Sequence, residues 1–250
     1  MNLSDDTAPP SSPWAIRRSL PVGYRAVRRL DLESPRTVLA LALLSLLMLA
    51  IGLLFFAVVA ALVASPGAEQ ADPLGSLHPL LLSVSLITLF VLMLAAHEAF
   101  HGLAFRSFGA RPRFGVDLKK GVAFAAAPDD YLSRNAYLVV ALAPILGVTV
   151  VCILLMALTG DTTRNVIAVV GAANVSGAAG DVWFFVECLR RGPELIVRDY
   201  GEGAELYLPT LRGSTGEGAG QIHEDQRGDA SAGEDQDQRA ADPENLARQA

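Results

Sequence analysis

Four long apolar stretches, separated by polar segments, dominate the pattern of the chain. Within each stretch the apolar residues run continuously, whereas a helix or strand in water alternates them with polar residues at its own period. Each stretch also exceeds the roughly 20 residues that a helix needs to cross the hydrocarbon core of a bilayer. The pattern therefore predicts four transmembrane helices, at about residues 37–64, 79–105, 135–158 and 165–188.

The polar segment between the second and third spans predicts a β-hairpin. Residues 111–118 and 121–127 form two short strand-like runs around a turn at Lys119, Lys120 and Gly121. Such a hairpin could present an edge strand to the extended backbone of a substrate. It could equally lie at the membrane interface, held there by its basic residues. The sequence leaves both interpretations open.

Lys and Arg residues near the ends of the spans predict the orientation of the chain. Six lie in the N-terminal segment, six in the loop after the second span and three after the fourth span, whereas the two opposite loops hold only Arg164. This bias places both termini and the hairpin in the cytoplasm. The predicted fold class is therefore an all-α integral membrane protein of the cell membrane, with four transmembrane helices and a cytoplasmic β-hairpin between helices two and three.

Composition changes at the two ends of the chain. The first residues are rich in Pro and Ser and then become basic, whereas the last forty contain few aliphatic residues and most of the excess behind the net charge of −6. Such a tail cannot bury enough apolar surface to offset chain entropy. The predicted organisation is a basic cytoplasmic segment, a four-helix membrane core, a second cytoplasmic segment and an acidic disordered tail, at residues 1–36, 37–189, 190–211 and 212–250.

The second apolar stretch carries the chemistry, in the sequence His97-Glu98-Ala99-Phe100-His101. On a helix, positions four residues apart share one face, so both imidazoles can reach one metal ion. Glu98 lies beside that face, where it can accept a proton from a metal-bound water. The H-E-x-x-H pattern is typical of zinc metalloproteases for this reason.

The alternative interpretation is a pair of packed helix histidines next to a surface glutamate. The setting argues against it, because a strongly polar side chain at the bilayer centre costs about 2.5–3.5 kcal/mol. Three such groups within about one helical turn need a partner. A divalent cation is the simplest one, and we therefore predict a single bound Zn²⁺.

A catalytic zinc takes three protein ligands and keeps one position open. Asp181 is the remaining acid that lies inside the spans and away from their ends. His97 is nine residues before Arg106, and Asp181 is nine residues before Arg190. Since both spans run toward the cytoplasm, the two residues lie at the same depth, about 13 Å from the flanking arginine. Asp181 is the predicted third ligand, and a structural hydrogen-bonding role is its alternative.

Asn174, Gly177 and Asp181 share one face of the fourth predicted helix, at positions i, i+3 and i+7. Glycines and other small residues on such a face allow neighbouring helices to approach closely. We therefore expect the glycines here to serve packing.

With these residues in place, the chain resembles the site-2-protease class of intramembrane zinc proteases, in which H-E-x-x-H in one span is followed by Asn-x-x-Gly and Asp in a later span. It resembles more closely an uncharacterised family of membrane zincins. The resemblance covers roughly residues 79–208. The shared features besides H-E-x-x-H are a Gly- and Phe-containing hairpin, Ser-Arg-Asn at 133–135, Ala-Pro at 143–144 and Gly-x-x-Gly-Asp at 177–181.

The resemblance implies peptide-bond hydrolysis, and it implies that Asn174 positions the substrate. Gly177 and Val182 depart from the Pro and Gly that site-2 proteases usually carry after the Asn and the Asp. This departure bears on the implied role of Asn174 in positioning the substrate more than it bears on metal binding.

The predicted function is intramembrane, zinc-dependent hydrolysis of a peptide bond in a membrane protein. Glu98 acts as the general base on a zinc-bound water, and the ligands of the single Zn²⁺ are His97, His101 and Asp181. The partners are a membrane-protein substrate and the lipid bilayer, and nothing indicates nucleic acid. The alternative is a non-catalytic metal-binding membrane protein, for metal transport or as a scaffold. A transporter would usually place ligands along the bilayer depth or show an internal repeat, and neither is visible.

The charge bias generates a testable topology. Cysteines introduced at Ser12 and Ser214 should resist an impermeant thiol reagent in sealed cells and react after permeabilisation, because both termini are predicted to be cytoplasmic. Cysteine at Ser76, in the loop between the first two spans, should react in sealed cells and serves as the control. Labelling of either terminal position from outside would contradict the predicted orientation.

Overall fold

The computed structural model describes residues 13–31, 34–64, 71–117, 122–201 and 203–210. Within these residues the chain is mostly helical. The helices are α1 (Pro35–Val63), α2 (Pro79–Ser107), α3 (Arg134–Ala157), α4 (Asp161–Gly177) and α5 (Ala179–Leu189). The strands are β1 (Ile16–Arg17), β2 (Tyr24–Asp31), β3 (Arg113–Asp117), β4 (Val122–Ala126), β5 (Tyr131–Ser133), β6 (Ile196–Asp199) and β7 (Gly203–Pro209).

Three helices, α1, α2 and α3, are long and apolar enough to cross a membrane. They cover the first three predicted spans to within two residues at each end. Large apolar side chains stand uncovered along them, such as Leu54, Ile87 and Leu154, which are 69%, 66% and 60% exposed. Water would make this much contiguous apolar surface unfavourable, whereas lipid covers it without cost.

The beginnings of α1 and α2 follow from local sequence. Each has a proline in its first turn, where the missing N–H is not needed. The Ser34 side chain accepts a hydrogen bond from the Thr37 N–H at 3.2 Å, and His78 Nδ1 accepts one from the Leu80 N–H at 3.3 Å. His78 is therefore occupied in capping α2, at the opposite end of the helix from the H-E-x-x-H residues.

The fourth predicted span, residues 165–188, is divided between α4 and α5. The two helices meet at Ala178 with a bend of 43°, so the pair counts as one span only if that span is broken. Gly177 and Gly180 flank the break, and glycine weakens a helix interior by about 0.5–1 kcal/mol relative to alanine. The structure thus corrects the expectation of a single helix and places Asp181 in the first turn of α5.

A five-stranded antiparallel sheet was not predicted, and it corrects the all-α class. Its strand order is β1-β5-β6-β7-β2, so strands from the N-terminal segment lie at both edges. The pairing is long-range, as in Ile16 with Leu132 and Arg25 with Leu208. Sequence periodicity missed it because β1 has only two residues, and because the arginines of the eight-residue β2 suit the basic flank of a membrane helix equally well.

Buried apolar residues join this sheet to the helices. Leu132 and Leu206 of the strands pack in one cluster with Phe105 of α2, Val140 of α3 and Phe184 of α5. The segments predicted as separate cytoplasmic regions, 1–36 and 190–211, thus contribute strands to one sheet on the helix ends. The predicted tail, 212–250, lies outside the described residues.

The hairpin between α2 and α3 consists of β3 and β4, paired antiparallel with Gly115 opposite Phe124. The predicted turn residues, 119–121, lie outside the described residues. The hairpin packs on α2, where the Phe114 ring fills the space beside Gly102. A Cβ atom at Gly102 would come within 2.2 Å of that ring, so glycine is what permits this approach.

Candidate metal centre

Two imidazole rings on α2 face the interior of the helix bundle. His97 and His101 are one turn apart, and their ring centroids are separated by 5.1 Å at an angle of 76° between planes. Both residues are buried, at 9% and 8% exposure. The i, i+4 spacing therefore places both rings on one protected face of α2.

Asp181 of α5 meets both rings. Its Oδ2 lies 3.2 Å from His97 Nε2, and its Oδ1 lies 3.2 Å from His101 Nε2. One ligand atom from each of the three residues lies within 4.8 Å of the others. Two imidazole nitrogens and a carboxylate oxygen form a donor set of the catalytic zinc type, with one position left for water or substrate. The residues that the structure brings together fit a zinc ion.

The second nitrogen of each imidazole is held by an oxygen acceptor. His97 Nδ1 lies 3.0 Å from Asn174 Oδ1 of α4, and His101 Nδ1 lies 2.9 Å from the Val140 carbonyl oxygen of α3. Since an oxygen accepts in both cases, Nδ1 carries the proton and donates it. In a neutral imidazole this leaves Nε2 with the free lone pair. The two bonds therefore orient both rings with their ligand atoms toward Asp181.

A proline explains why the Val140 carbonyl is available. Pro144 lies inside α3 and has no backbone N–H, so the carbonyl four residues before it has no donor within the helix. His101 supplies that donor. In the sequence, Pro144 stood out only as one of the features shared with the membrane zincin family. A proline inside an apolar span is nevertheless a general signal for a carbonyl that needs another partner.

The resemblance implied that Asn174 positions the substrate, whereas the contacts of Asn174 in the structure are with His97 and Pro144. Its side chain is buried, with 1% of the residue exposed. Its Oδ1 accepts from His97, and its Nδ2 donates to the Pro144 carbonyl at 3.4 Å. Because both polar atoms are engaged, these contacts orient His97, and substrate positioning by Asn174 stays a prediction.

A cavity of about 190 Å³ opens beside the three potential ligands. Glu98 borders it without belonging to the ligand group, and the Ala125 backbone N–H of β4 faces the Glu98 carboxylate. The residues that line the cavity come from α2, α3, β4, α4, α5 and the β6–β7 turn. Besides the ligands and Glu98 they include Ala123, Phe124, Tyr137, Gly177, Gly180, Phe184, Asp199 and Gly201.

The glycines near Asp181 leave room in the cavity. A Cβ atom at Gly177 or at Gly180 would meet no other atom within 4 Å, although both residues line the cavity wall. The expectation that these two glycines serve close helix packing is therefore wrong. Open space beside a potential metal site is what a substrate requires.

Two residues of the cavity wall, Asp199 and Tyr137, were not predicted from the sequence. Asp199, at the end of β6, accepts hydrogen bonds from the Tyr137 hydroxyl at 3.1 Å and from the Gly201 N–H at 2.8 Å. Burial raises the pKa of the Asp199 carboxyl to about 6, and the Gly201 hydrogen bond opposes that rise. The sequence carried no signal for this position, because Asp199 reaches the site only through the undetected sheet.

The comparisons agree with a zincin. Residues 90–196 match the model of a protein family described as "putative zincin peptidase". The matched segment contains both histidines, Glu98, Asn174 and Asp181. No curated protein and no solved structure gave a match. The resemblance to membrane zincins is therefore confirmed, and the relation to site-2 proteases stays a prediction.

The geometry predicts that Asp181 is as necessary for metal as a histidine. Asp181→Ala and His101→Ala should both lose most of their zinc, since either change leaves two donors. The measurement is zinc per mole of detergent-purified protein, with a melting curve to confirm the fold. Asp129→Ala, which removes an acid with a 60% exposed side chain, should keep its zinc. Full zinc occupancy in Asp181→Ala would remove Asp181 from the site.

Pro144→Ala should change stability and metal affinity in opposite directions. The new N–H can bond the Val140 carbonyl, which strengthens α3 because a proline inside a helix costs about 3 kcal/mol. It also competes with His101, so zinc affinity should fall about tenfold, the lower end of the effect of losing an orienting contact. Zinc titration and thermal melting measure the two effects. Leu146→Ala, on an exposed part of α3, should leave the zinc affinity unchanged. An unchanged affinity in Pro144→Ala would show that the Val140 contact does not matter.

Proposed function

We propose that this chain is an intramembrane zinc metallopeptidase that hydrolyses a peptide bond in a membrane protein. The observation that carries the proposal is the convergence of His97, His101 and Asp181 on one cavity, with Glu98 beside them. The cavity beside this polar group is lined in part by α2 and α3, two helices that are apolar enough to cross a membrane. The family match over the same residues supports peptidase activity.

The metal site would hold one zinc ion through the Nε2 atoms of His97 and His101 and a carboxylate oxygen of Asp181. When bound, zinc supplies Lewis acidity, which polarises a carbonyl and makes water more acidic. The chain itself orients the two imidazole rings that would bind the ion. The Nδ1 bonds to Asn174 and Val140 hold the two rings before any ligand arrives, so little reorganisation is needed on binding.

Glu98 moves the proton in this proposal. Its carboxylate accepts a proton from the attacking water and passes it to the nitrogen of the leaving amine, as the C–N bond breaks. The products are a carboxylate and an amine. The position of Glu98 supports this role, because it borders the cavity next to the ligands and is not one of them.

Strand β4 offers a place for an extended substrate. Within the described strands it pairs only with β3, so its other edge has no strand partner. The backbone N–H of Ala125 is directed from β4 to the Glu98 carboxylate. Ala123, two residues earlier on the strand, lines the same cavity. Residues two apart on a strand present their backbone groups to the same side. A substrate backbone that pairs with this edge would lie beside Glu98.

The proposed substrate is a membrane-protein segment cut close to the cytoplasmic face. The bias of Lys and Arg toward both termini and the hairpin loop supports that orientation. The sheet and hairpin at the cavity support access by water, since strand edges are not stable against lipid.

Glu98→Gln tests the mechanism. The variant should keep its zinc and lose cleavage by at least about a hundredfold, because general-base catalysis contributes on the order of 10²–10⁴ in rate. Cleavage is measured on a panel of quenched fluorescent single-span peptides, and zinc on the same preparations. Glu194→Gln, an exposed acid outside the cavity, is the control and should cleave normally. Cleavage by Glu98→Gln at the wild-type rate would refute the proposed mechanism.

A further inference from the structure

We propose that Asp199 is a specificity-determining residue, which binds the side chain of a Lys or Arg next to the scissile bond of the substrate. This inference rests on the proposed function, in that the occupant of the cavity is taken to be a peptide. It goes further by naming the chemistry that the cavity selects.

The position of Asp199 is the first observation. Asp199 belongs to the β6–β7 region, outside the helices, yet it lines the same cavity as His101, Glu98 and Asp181. It does not belong to the group of potential metal ligands. Asp199 therefore forms part of the cavity wall that the sheet provides, next to any occupant of the cavity.

The balance of charge in the cavity is the second observation. Its lining contains three carboxylates, those of Glu98, Asp181 and Asp199, and no Lys or Arg among the described residues. A bound dication offsets two of them, with the imidazoles neutral. One net negative charge remains in this partly enclosed cavity, where solvent and salt screen charges less than at an open surface. An occupant that carries one positive charge would compensate it.

The hydrogen bonds of Asp199 are the third observation. Tyr137 and Gly201 each donate to a different carboxylate oxygen. An ionised carboxylate can accept about four hydrogen bonds, so each oxygen keeps capacity for the occupant. Gly201 has a φ of +92°, a conformation that favours glycine, and this turn brings its N–H onto Asp199. These two hydrogen bonds thus orient the Asp199 carboxylate and leave part of its capacity to accept hydrogen bonds free for the occupant.

Membrane proteins offer the matching group. Their cytoplasmic flanks are rich in Lys and Arg, whereas their spans are almost free of charge. A segment cut at the boundary between span and flank would place an apolar stretch among the helices and a cationic side chain near Asp199. A Lys or Arg would form a charge-assisted hydrogen bond there, stronger than one from a neutral side chain.

A binding experiment tests this inference without relying on cleavage. The full chain, with Glu98→Gln to prevent turnover and with zinc loaded, is titrated with pairs of single-span peptides. The two members of a pair differ only in having Lys or Gln at one flank position, and that position is moved stepwise from pair to pair. At one position the Lys peptide should bind about tenfold more tightly than the Gln peptide. Adding Asp199→Asn should reduce that ratio to below about twofold.

The control variant is Glu205→Gln. Glu205 lies on β7 in the same sheet, accepts from the Tyr207 hydroxyl at 2.6 Å and does not line the cavity. It should keep the preference for Lys. Zinc content and melting temperature of each variant confirm that the fold is intact.

The outcomes separate this inference from the proposed function. A Lys preference that survives Asp199→Asn, or no preference at any position, would overturn the role of Asp199 even if the wild-type protein cleaves peptides. Absence of cleavage by the zinc-loaded wild-type protein, together with a Lys preference that depends on Asp199, would overturn the peptidase function and leave Asp199 as the determinant of cation binding.

Discussion

Polar groups buried among apolar helices need partners, and the two histidines of α2 impose this requirement on the rest of the bundle. The Nε2 atoms of His97 and His101 meet Asp181, and their Nδ1 atoms meet Asn174 and the Val140 carbonyl. These partners belong to three other helices, so one pair of side chains ties four helices together. Apolar contacts between helices gain little in lipid, which is itself apolar. Polar contacts of this kind therefore help to specify the arrangement, together with the van der Waals packing of side chains between the helices.

The cavity beside these residues has two kinds of wall. Helices provide the ligand residues and Glu98, whereas β4 provides Ala125 and the end of β6 provides Asp199. In the proposed function, the two kinds of wall would suit different parts of one substrate. Apolar helices would accept a membrane segment, and a strand edge would accept the extended backbone of the peptide that the proposed reaction cleaves. The site thus lies where the helix bundle ends and the strands begin.

Local pattern was enough to predict part of this molecule. Continuous apolar runs predicted α1, α2 and α3, and the helical period placed His97 and His101 on one face. Asp181, inferred from its depth in the fourth stretch, does lie against both rings. The sheet, Tyr137 and Asp199 were beyond this reasoning, because they depend on pairing between distant segments that leaves little local periodicity. The bend at Ala178 was missed because the glycines around it suit close packing equally well.

The strand order has a consequence for how the protein is made. Residues of β2 pair with residues of β7, for instance Arg25 with Leu208. At about 5–20 residues per second, β2 waits on the order of 10–40 s for its partner to be synthesised. Its arginines protect it meanwhile, since charged side chains discourage an unpaired strand from joining other chains. His97, His101 and Asp181 all precede β7 in the sequence. These three residues are therefore synthesised before the last strand, which completes the sheet that carries Asp199.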